Sequence, residues 1–464
     1  MIKPSKRILA PLALAMALSG CMSLAPTYQR PAAPVAASFP DAASGAAASE
    51  AASRIAWQRF FADARLRQLI ELALTNNRDL RVAILNIEQA RAQYQIRRAD
   101  ILPTVGLGVS GSRTPGENDT IKSSYSGGLV VSAFELDLFG RVRSLSNAGL
   151  AQYLATEEAR KATQISLIAS VANAYLATQA DEELLSLTQQ TLDARVESLK
   201  LIQLKYDNGA VSKLDLQQSL SLVDSARVTL AQQQRQRAQD VNLLTLLVGQ
   251  PLPGELPTRG TLAATELSEL PAGLPSDLLT VRPDIRAAEQ QLIAANANIG
   301  AARANFFPRI TLTGSAGSAS SELSGLFKSG SFGWTFAPQL VLPIFDYGRN
   351  KATLGSANAG RDIAVAQYER AIQSAFRDVA DALAGQATYG EQLRAQRAVA
   401  DAEAERFKLS DLRYRSGASS YLDLLDAQRS LFAAQQGAVQ ANLARLQNQV
   451  TLYRVLGGGW TEQK

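Results

Sequence analysis

The feature that most constrains this chain is a phrase written twice. YDNGAVSKLDL at residues 206–216 returns as YRSGASSYLDL at 414–424, an offset of 208 positions. The correspondence extends well beyond the phrase. TNNRDLRVA (75–83) precedes TVRPDIRAA (280–288) by 205 positions, RRADILP (97–103) and ARANFFP (302–308) keep that offset, and LFGR (138–141) answers IFDYGR (344–349). From Tyr206 and Tyr414 to Gly249 and Gly457 the offset holds at 208 without a gap. A period this long excludes short-repeat solenoids and points to duplication of a whole unit. Prolines in PLPGELPTRG and ELPAGLPSDL would interrupt any long helix, so they mark a connector between the halves. The expected organisation is a first repeat over 63–250, a connector over 251–273, a second repeat over 274–459 and a short tail over 460–464.

Within each half the periodicity changes in a fixed order. Residues from about 63 to 100 lack proline and are rich in Ala, Leu, Arg and Gln, which is helical composition. After Pro103 the pattern alternates, with Val105, Leu107 and Val109 on one face and Gly106, Gly108 and Ser110 on the other. In SFGWTFAPQLVLPIF, Phe332, Trp334, Phe336, Leu340, Leu342 and Ile344 share a face opposite Gly333, Thr335, Ala337 and Gln339. An aromatic, apolar side backed by a small, polar one suits a lipid-facing barrel wall, although a strand of a soluble sandwich would show the same alternation. Each half offers two such strands. Four strands cannot close a barrel alone and open edges are not tolerated in lipid, so copies must pool strands, and three copies would supply about twelve.

Helix-compatible sequence then runs unbroken from Arg141 to about Tyr206 and from Arg349 to about Tyr414. Some 65 residues make a rod on the order of 100 Å. The return legs, Leu214 to Gly249 and Leu422 to Gly457, are about half as long. Leu425, Phe432, Val439, Leu443, Leu446, Val450 and Tyr453 recur at threes, fours and sevens, a coiled-coil seam that a soluble rod would share. At each turn an aromatic residue (Tyr206, Tyr414) is followed by a glycine (Gly209, Gly417) where a left-handed residue is wanted. Ser212-x-x-Asp215 and Ser420-x-x-Asp423 then read as capping boxes, giving both aspartates a structural use. Asp426 has no such use, and its counterpart in the first copy is Gln218.

Lys3, Lys6 and Arg7 followed by the apolar run to Leu18 read as a signal peptide over 1–20, too short to span a bilayer. LSGC (18–21) resembles a bacterial lipoprotein cleavage box, which would leave Cys21 lipidated at the head of an Ala/Pro/Ser-rich arm over 21–62. Cys21 is the one cysteine in the chain, and histidine is absent, so intrachain disulfides and His-based catalysis or metal sites are excluded. The net charge of +5 includes the three cations of the leader, and a near-neutral mature chain gives no support to a nucleic-acid partner. No nucleophile-elbow, Walker or metal-ligand spacing appears, so an enzyme is not expected.

The cleavage box, YQRPAAPV (28–35), NRDLRVA, FELDLFGR (134–141), GLPSDLLTVRPDI, ARANFFP, YRSGASSYLDLLDAQRSLF and LGGGW (456–460) are collinear over nearly all of the mature chain. Together they resemble the TolC-type outer-membrane efflux channels, in their lipoprotein, OprM-like branch. That resemblance implies a membrane α+β fold: a homotrimeric twelve-stranded β-barrel continued by an α-helical barrel, with a mixed equatorial domain. It implies a passive exit duct for drugs or other small toxic compounds, anchored in the Gram-negative outer membrane, served by an inner-membrane RND pump through a periplasmic adaptor. It implies no cofactor beyond S-diacylglycerol and N-palmitoyl groups on Cys21. It places Leu422 and Asp426, with Asp423 nearby, at a periplasmic gate that threefold symmetry would turn into rings, held shut by polar links such as Tyr414 to Asp215, with the adaptor docking on the turns around Gly209 and Gly417. The rival reading is a periplasmic coiled-coil adaptor or structural lipoprotein. An adaptor would be expected to carry one hairpin flanked by small β-domains, where this chain writes two hairpins in a duplicated frame.

Overall fold

The computed structural model describes residues 23–36, 38–39, 54–115, 121–254, 257, 260–265, 267–268, 270 and 275–460. The leader, Cys21, much of the arm, parts of the connector and residues 461–464 lie outside the described residues. After a helical turn at Trp57–Phe60, the elements are α1 (Ala64–Asn76), α2 (Arg78–Ala99), β1 (Val105–Pro115), β2 (Ile121–Leu136), α3 (Arg141–Asp207), α4 (Lys213–Val248), α5 (Pro275–Val281), α6 (Pro283–Ala304), β3 (Arg309–Ser320), β4 (Phe332–Val341), α7 (Arg349–Arg415) and α8 (Tyr421–Val455). The duplication is thus a duplication of structure: helix pair, strand pair, long helix, short return. Both long helices have 67 residues, and the returns have 36 and 35. Among the described residues no helix is long and apolar enough to cross a membrane.

The expected single helix over 63–100 is two helices, broken at Asn77. The Asn77 carboxamide explains the break. Its Oδ1 accepts from Leu80 N at 2.9 Å, capping α2, while its Nδ2 donates to Leu247 O at 2.9 Å, satisfying an end carbonyl of α4. The second copy breaks at Arg282, just before Pro283, and Arg282 Nη1 reaches Val455 O at 3.1 Å. Leu247 and Val455 are themselves 208 apart, so one joint is built twice with different donors. Gly249 and Gly457 close the return helices at φ +79° and +81°; a Cβ on Gly249 would lie 2.4 Å from Asn76 O.

The chain divides into two compact units. One, built from Met1–Ala33, Leu85–Glu158 and Arg286–Ala371, contains a four-stranded antiparallel sheet in the order β1-β2-β3-β4. Register places Leu107, Leu129, Ala316 and Trp334 in one row, and Gly108, Gly128, Gly317 and Gly333 in the next, on opposite faces. The apolar face is bare: Leu107 is 80% and Trp334 73% exposed. The other face is tied by hydroxyl pairs, Ser110–Ser126 and Ser315–Thr335, both at 2.7 Å. The strand pattern expected to run on through Leu342 and Ile344 stops at Val341, because Pro343 cannot donate to a ladder. A bulge between Val131 and Phe134 bends β2 where Ala133 takes φ +53°. Helix α3 then starts behind Gly140, with Asp137 accepting from Val142 N and Arg143 N; Asp346 does the same for Gly348 N and Asn350 N ahead of α7.

In the same unit the arm is strapped antiparallel along α6. Arg30 grips the buried Glu289 bidentately at 2.7 and 2.8 Å, and Tyr28 OH donates to Glu289 at 2.9 Å. Burial first, then the Glu289 carboxylate, pushes the Tyr28 pKa up. Asn296 holds Pro26 O and Arg303 holds Leu24 O, while a Cβ on Gly300 would lie 2.8 Å from Ala25.

The second unit (Pro34–Ile84, Ala159–Ile285, Ile372–Lys464) packs on the apolar stripes of α3 and α8. Phe60 stacks on Tyr453 at 4.1 Å, and Tyr175 donates to Asp63 at 2.9 Å, the same carboxylate that caps α1.

Candidate functional site

The two helix-to-helix turns lie in the second unit and share one core. Ile202, Leu216, Leu222, Tyr421, Leu424 and Leu425 are buried together, with Tyr206, Phe407 and Tyr414 packed against them. Each turn is built by the same backbone rule. Gly209 at φ +70° donates to Tyr206 O at 2.9 Å, and Ala210 N donates to Lys205 O at 2.8 Å. Gly417 at φ +75° donates to Tyr414 O at 3.0 Å, and Ala418 N to Arg413 O at 2.8 Å. These are paired Schellman bonds, and only glycine takes that φ without a steric penalty.

Both capping boxes form with the same geometry. Asp215 N donates to Ser212 Oγ at 3.2 Å while Ser212 N donates to Asp215 Oδ2 at 3.1 Å; Ser420 and Asp423 repeat both distances. Each aspartate therefore sits in the first turn of a return helix, where backbone N–H groups favour a carboxylate.

The residues singled out for a gate separate by environment. Leu422 is 53% exposed and its twin Leu214 is exposed as well, whereas Leu424 and Leu425 beside it are core. Asp426 is exposed but not free: its carboxylate is bound by Arg406 on α7, which also pairs with Glu403 at 3.0 Å. Isolated carboxylates repelling one another do not describe Asp426 within one chain, because an arginine neutralises it locally. The Tyr414-to-Asp215 link is likewise not made within the chain. Asp215 is held by Ser212, and Tyr414 OH accepts from Lys205 Nζ at 3.4 Å, with that ammonium 4.8 Å from the ring centre.

Arg406 and Lys205 escaped the sequence reading. Arg406 lies 20 positions before Asp426 on a different helix, and only the fold juxtaposes them. Lys205 stands next to Tyr206 in the quoted phrase, so adjacency to the repeated aromatic was the available signal. Among the described residues no cluster of three or more Asp, Glu, Cys or His side chains could hold a metal. What the arrangement offers is a pair of fused hairpin turns with an outward leucine and a paired carboxylate.

Comparison with known proteins locates this architecture. The family model described as "Outer membrane efflux protein" matches residues 69–250 and 274–458, the two halves of the duplication. The antibiotic efflux pump outer membrane protein ArpC of Pseudomonas putida is 49% identical over 470 residues, covering 99% of this chain and 97% of the relative. The outer membrane protein OprJ of Pseudomonas aeruginosa is 47% identical over 477 residues, covering 100% of this chain and 98% of OprJ. Among solved structures, the open state of the MtrE outer membrane channel of Neisseria gonorrhoeae superposes with a TM-score of 0.88 at 43% identity, covering 94% of this chain and 98% of MtrE.

Proposed function

This chain belongs to the outer membrane efflux protein family, and from that premise we propose that three copies close a twelve-stranded barrel whose helices form the exit duct of a tripartite, RND-type efflux system. The observation that carries the reading is the open sheet. Among the described residues its β1 and β4 edges are unpaired and its aromatic face is uncovered, an arrangement lipid accepts only once the edges are sealed. β1 and β4 have 11 and 10 residues, so β4 of one copy can pair along nearly all of β1 of the next. Conduction is passive and needs no chemistry of its own. Cargo is small toxic compounds, as the names of antibiotic and toluene efflux relatives suggest.

Cys21 carries the lipid anchor in this reading. The strapped arm supports it: from Arg30 back to Leu24 the chain tracks α6 toward the end that leads into β3, and Cys21 is three residues further back. The periplasmic adaptor docks on the turns at Gly209 and Gly417. Leu422 forms the gate ring, with Asp423 fixing the helix start behind it and the Asp426–Arg406 pair holding the resting conformation. Single-channel recording in planar bilayers tests the gate: Leu422→Ala with Asp426→Ala should raise conductance and open probability. Unchanged conductance removes the gate from these residues.

A further inference from the structure

Twelve residues before the first turn, Arg195 of α3 is an arginine out of place. It is 5% exposed, yet among the described residues no carboxylate pairs with it. Its Nη1 donates to Leu222 O at 3.1 Å, its guanidinium lies 5.3 Å from the Phe432 ring centre, and its Nε is buried with no hydrogen-bond partner. The charge acting on it is a second cation, the exposed Arg429 of α8; burial first and then that like charge push the Arg195 pKa down. A guanidinium cannot escape by losing its proton in a protein, so a buried one calls for a counter-anion. The duplication shows that the position does not demand a cation: 208 residues on, the equivalent is Glu403, which is paired with Arg406.

Beside Arg195 is a cavity of about 180 Å³. Its lining joins the apolar Phe407, Leu431 and Phe432 to the amides of Gln190, Gln428 and Gln435. An engineered apolar cavity of about 150 Å³ takes up benzene, so one aromatic ring fits this volume.

We propose that this cavity binds a small monocarboxylate with an apolar body, its carboxylate on the Arg195 fork and its body between Phe407 and Phe432. The lining amides complete the remaining carboxylate lone pairs, and the bound acid bridges α3, α7 and α8. The site lies outside the gate and does not depend on it.

Benzoate is the probe, benzamide its neutral isostere and inorganic phosphate the anion without an apolar body, each titrated into full-length, detergent-solubilised protein by calorimetry and thermal melting. Benzoate should bind saturably and raise Tm, with benzamide and phosphate about tenfold weaker or more. Arg195→Gln should abolish the benzoate-induced shift, read against that variant's own baseline, while Arg195→Lys keeps part of it. Leu431→Trp, which fills the cavity and leaves the charge, should abolish it too. Three results overturn the proposal: benzoate and phosphate acting equally, a benzoate response that survives Arg195→Gln or Leu431→Trp, or no benzoate binding at all. The last, with Arg195→Gln still lowering the Tm of the assembled protein, would assign the counter-charge to a neighbouring subunit's carboxylate.

Discussion

Arg282→Met tests whether the duplicated joint holds the return helices. Arg282 is buried, and its fork serves four partners: Asp284 at 3.0 and 2.6 Å, Val455 O at 3.1 Å, Ala375 O at 3.5 Å and, more loosely, Asp378 at 3.8 Å. Methionine keeps the stem and removes every donor. Breaking a buried ion pair from one side costs about 3–5 kcal/mol when the stranded charge stays dry. Asp284 is 44% exposed and rehydrates, which lowers the expectation to about 2–3 kcal/mol. The loss should be local, because Arg282 ties the end of α8 whereas Asn77 ties the end of α4. Amide hydrogen exchange over the last turn of α8 should therefore accelerate roughly 30- to 150-fold, with the last turn of α4 unchanged as an internal control. Acceleration below about threefold, or equal acceleration at both helix ends, would refute the account; the first would mean Val455 O is satisfied without Arg282, the second that the whole molecule had loosened.

Asp181 is buried beside Asp240, and burial, then the hydrogen bond and charge of Asp240, push its carboxyl pKa up to about 7, partly opposed by Arg237. A folded-state pKa above the unfolded one contributes stability that is complete below about pH 4 and lost as pH rises through about 7. Asp181→Asn should remove that slope, matching wild type below about pH 4 and gaining about 4 kcal/mol by pH 8 in urea melts; an unchanged slope would sink the assignment. A Cβ on Gly317 would lie 2.3 Å from Gly127 O, whereas one on Gly333 meets nothing within 4 Å. Gly317→Ala should thus lower the yield of SDS-resistant oligomer in outer-membrane fractions while Gly333→Ala does not, and equal yields would remove β2–β3 proximity as the reason. Glu289→Gln gives up the bidentate Arg30 pair, whose arginine is 48% exposed, so its cost should be only about 1 kcal/mol. Its visible effect should be faster proteolysis within residues 23–36, and an unchanged cleavage rate would show that other contacts hold the arm.

Much of the fold was legible because backbone geometry leaves its mark in residue type. Left-handed glycines after Tyr206 and Tyr414, serine–aspartate boxes, and prolines after Asp100 and Asn305 marked helix ends within a residue or two. The break at Asn77 was hidden because TNNRDL contains no proline, and asparagine acts there through a carbonyl 170 positions away. Its twin at Arg282 was visible only through Pro283. The Asp426–Arg406 pair and the Arg195 cavity were illegible for one reason: each joins different helices, and helical spacing says which face a residue occupies but not which neighbour meets it.

The two copies agree and disagree in a pattern that physics accounts for. Positions where φ or an orphan backbone group dictates the residue are kept: Gly209 and Gly417, Asp215 and Asp423, Gly249 and Gly457. Positions where the side chain of at least one copy meets another helix have diverged: Asn77 and Arg282, Arg195 and Glu403, Lys213 and Tyr421, Gln218 and Asp426. Two hairpins of equal length fused in one chain place two kinds of seam around any closed ring, one within a chain and one between chains, and identical side chains could not suit both. Divergence at these contacts lets one backbone plan serve two neighbours. It also explains why the Asp426–Arg406 pair belongs to the second copy alone.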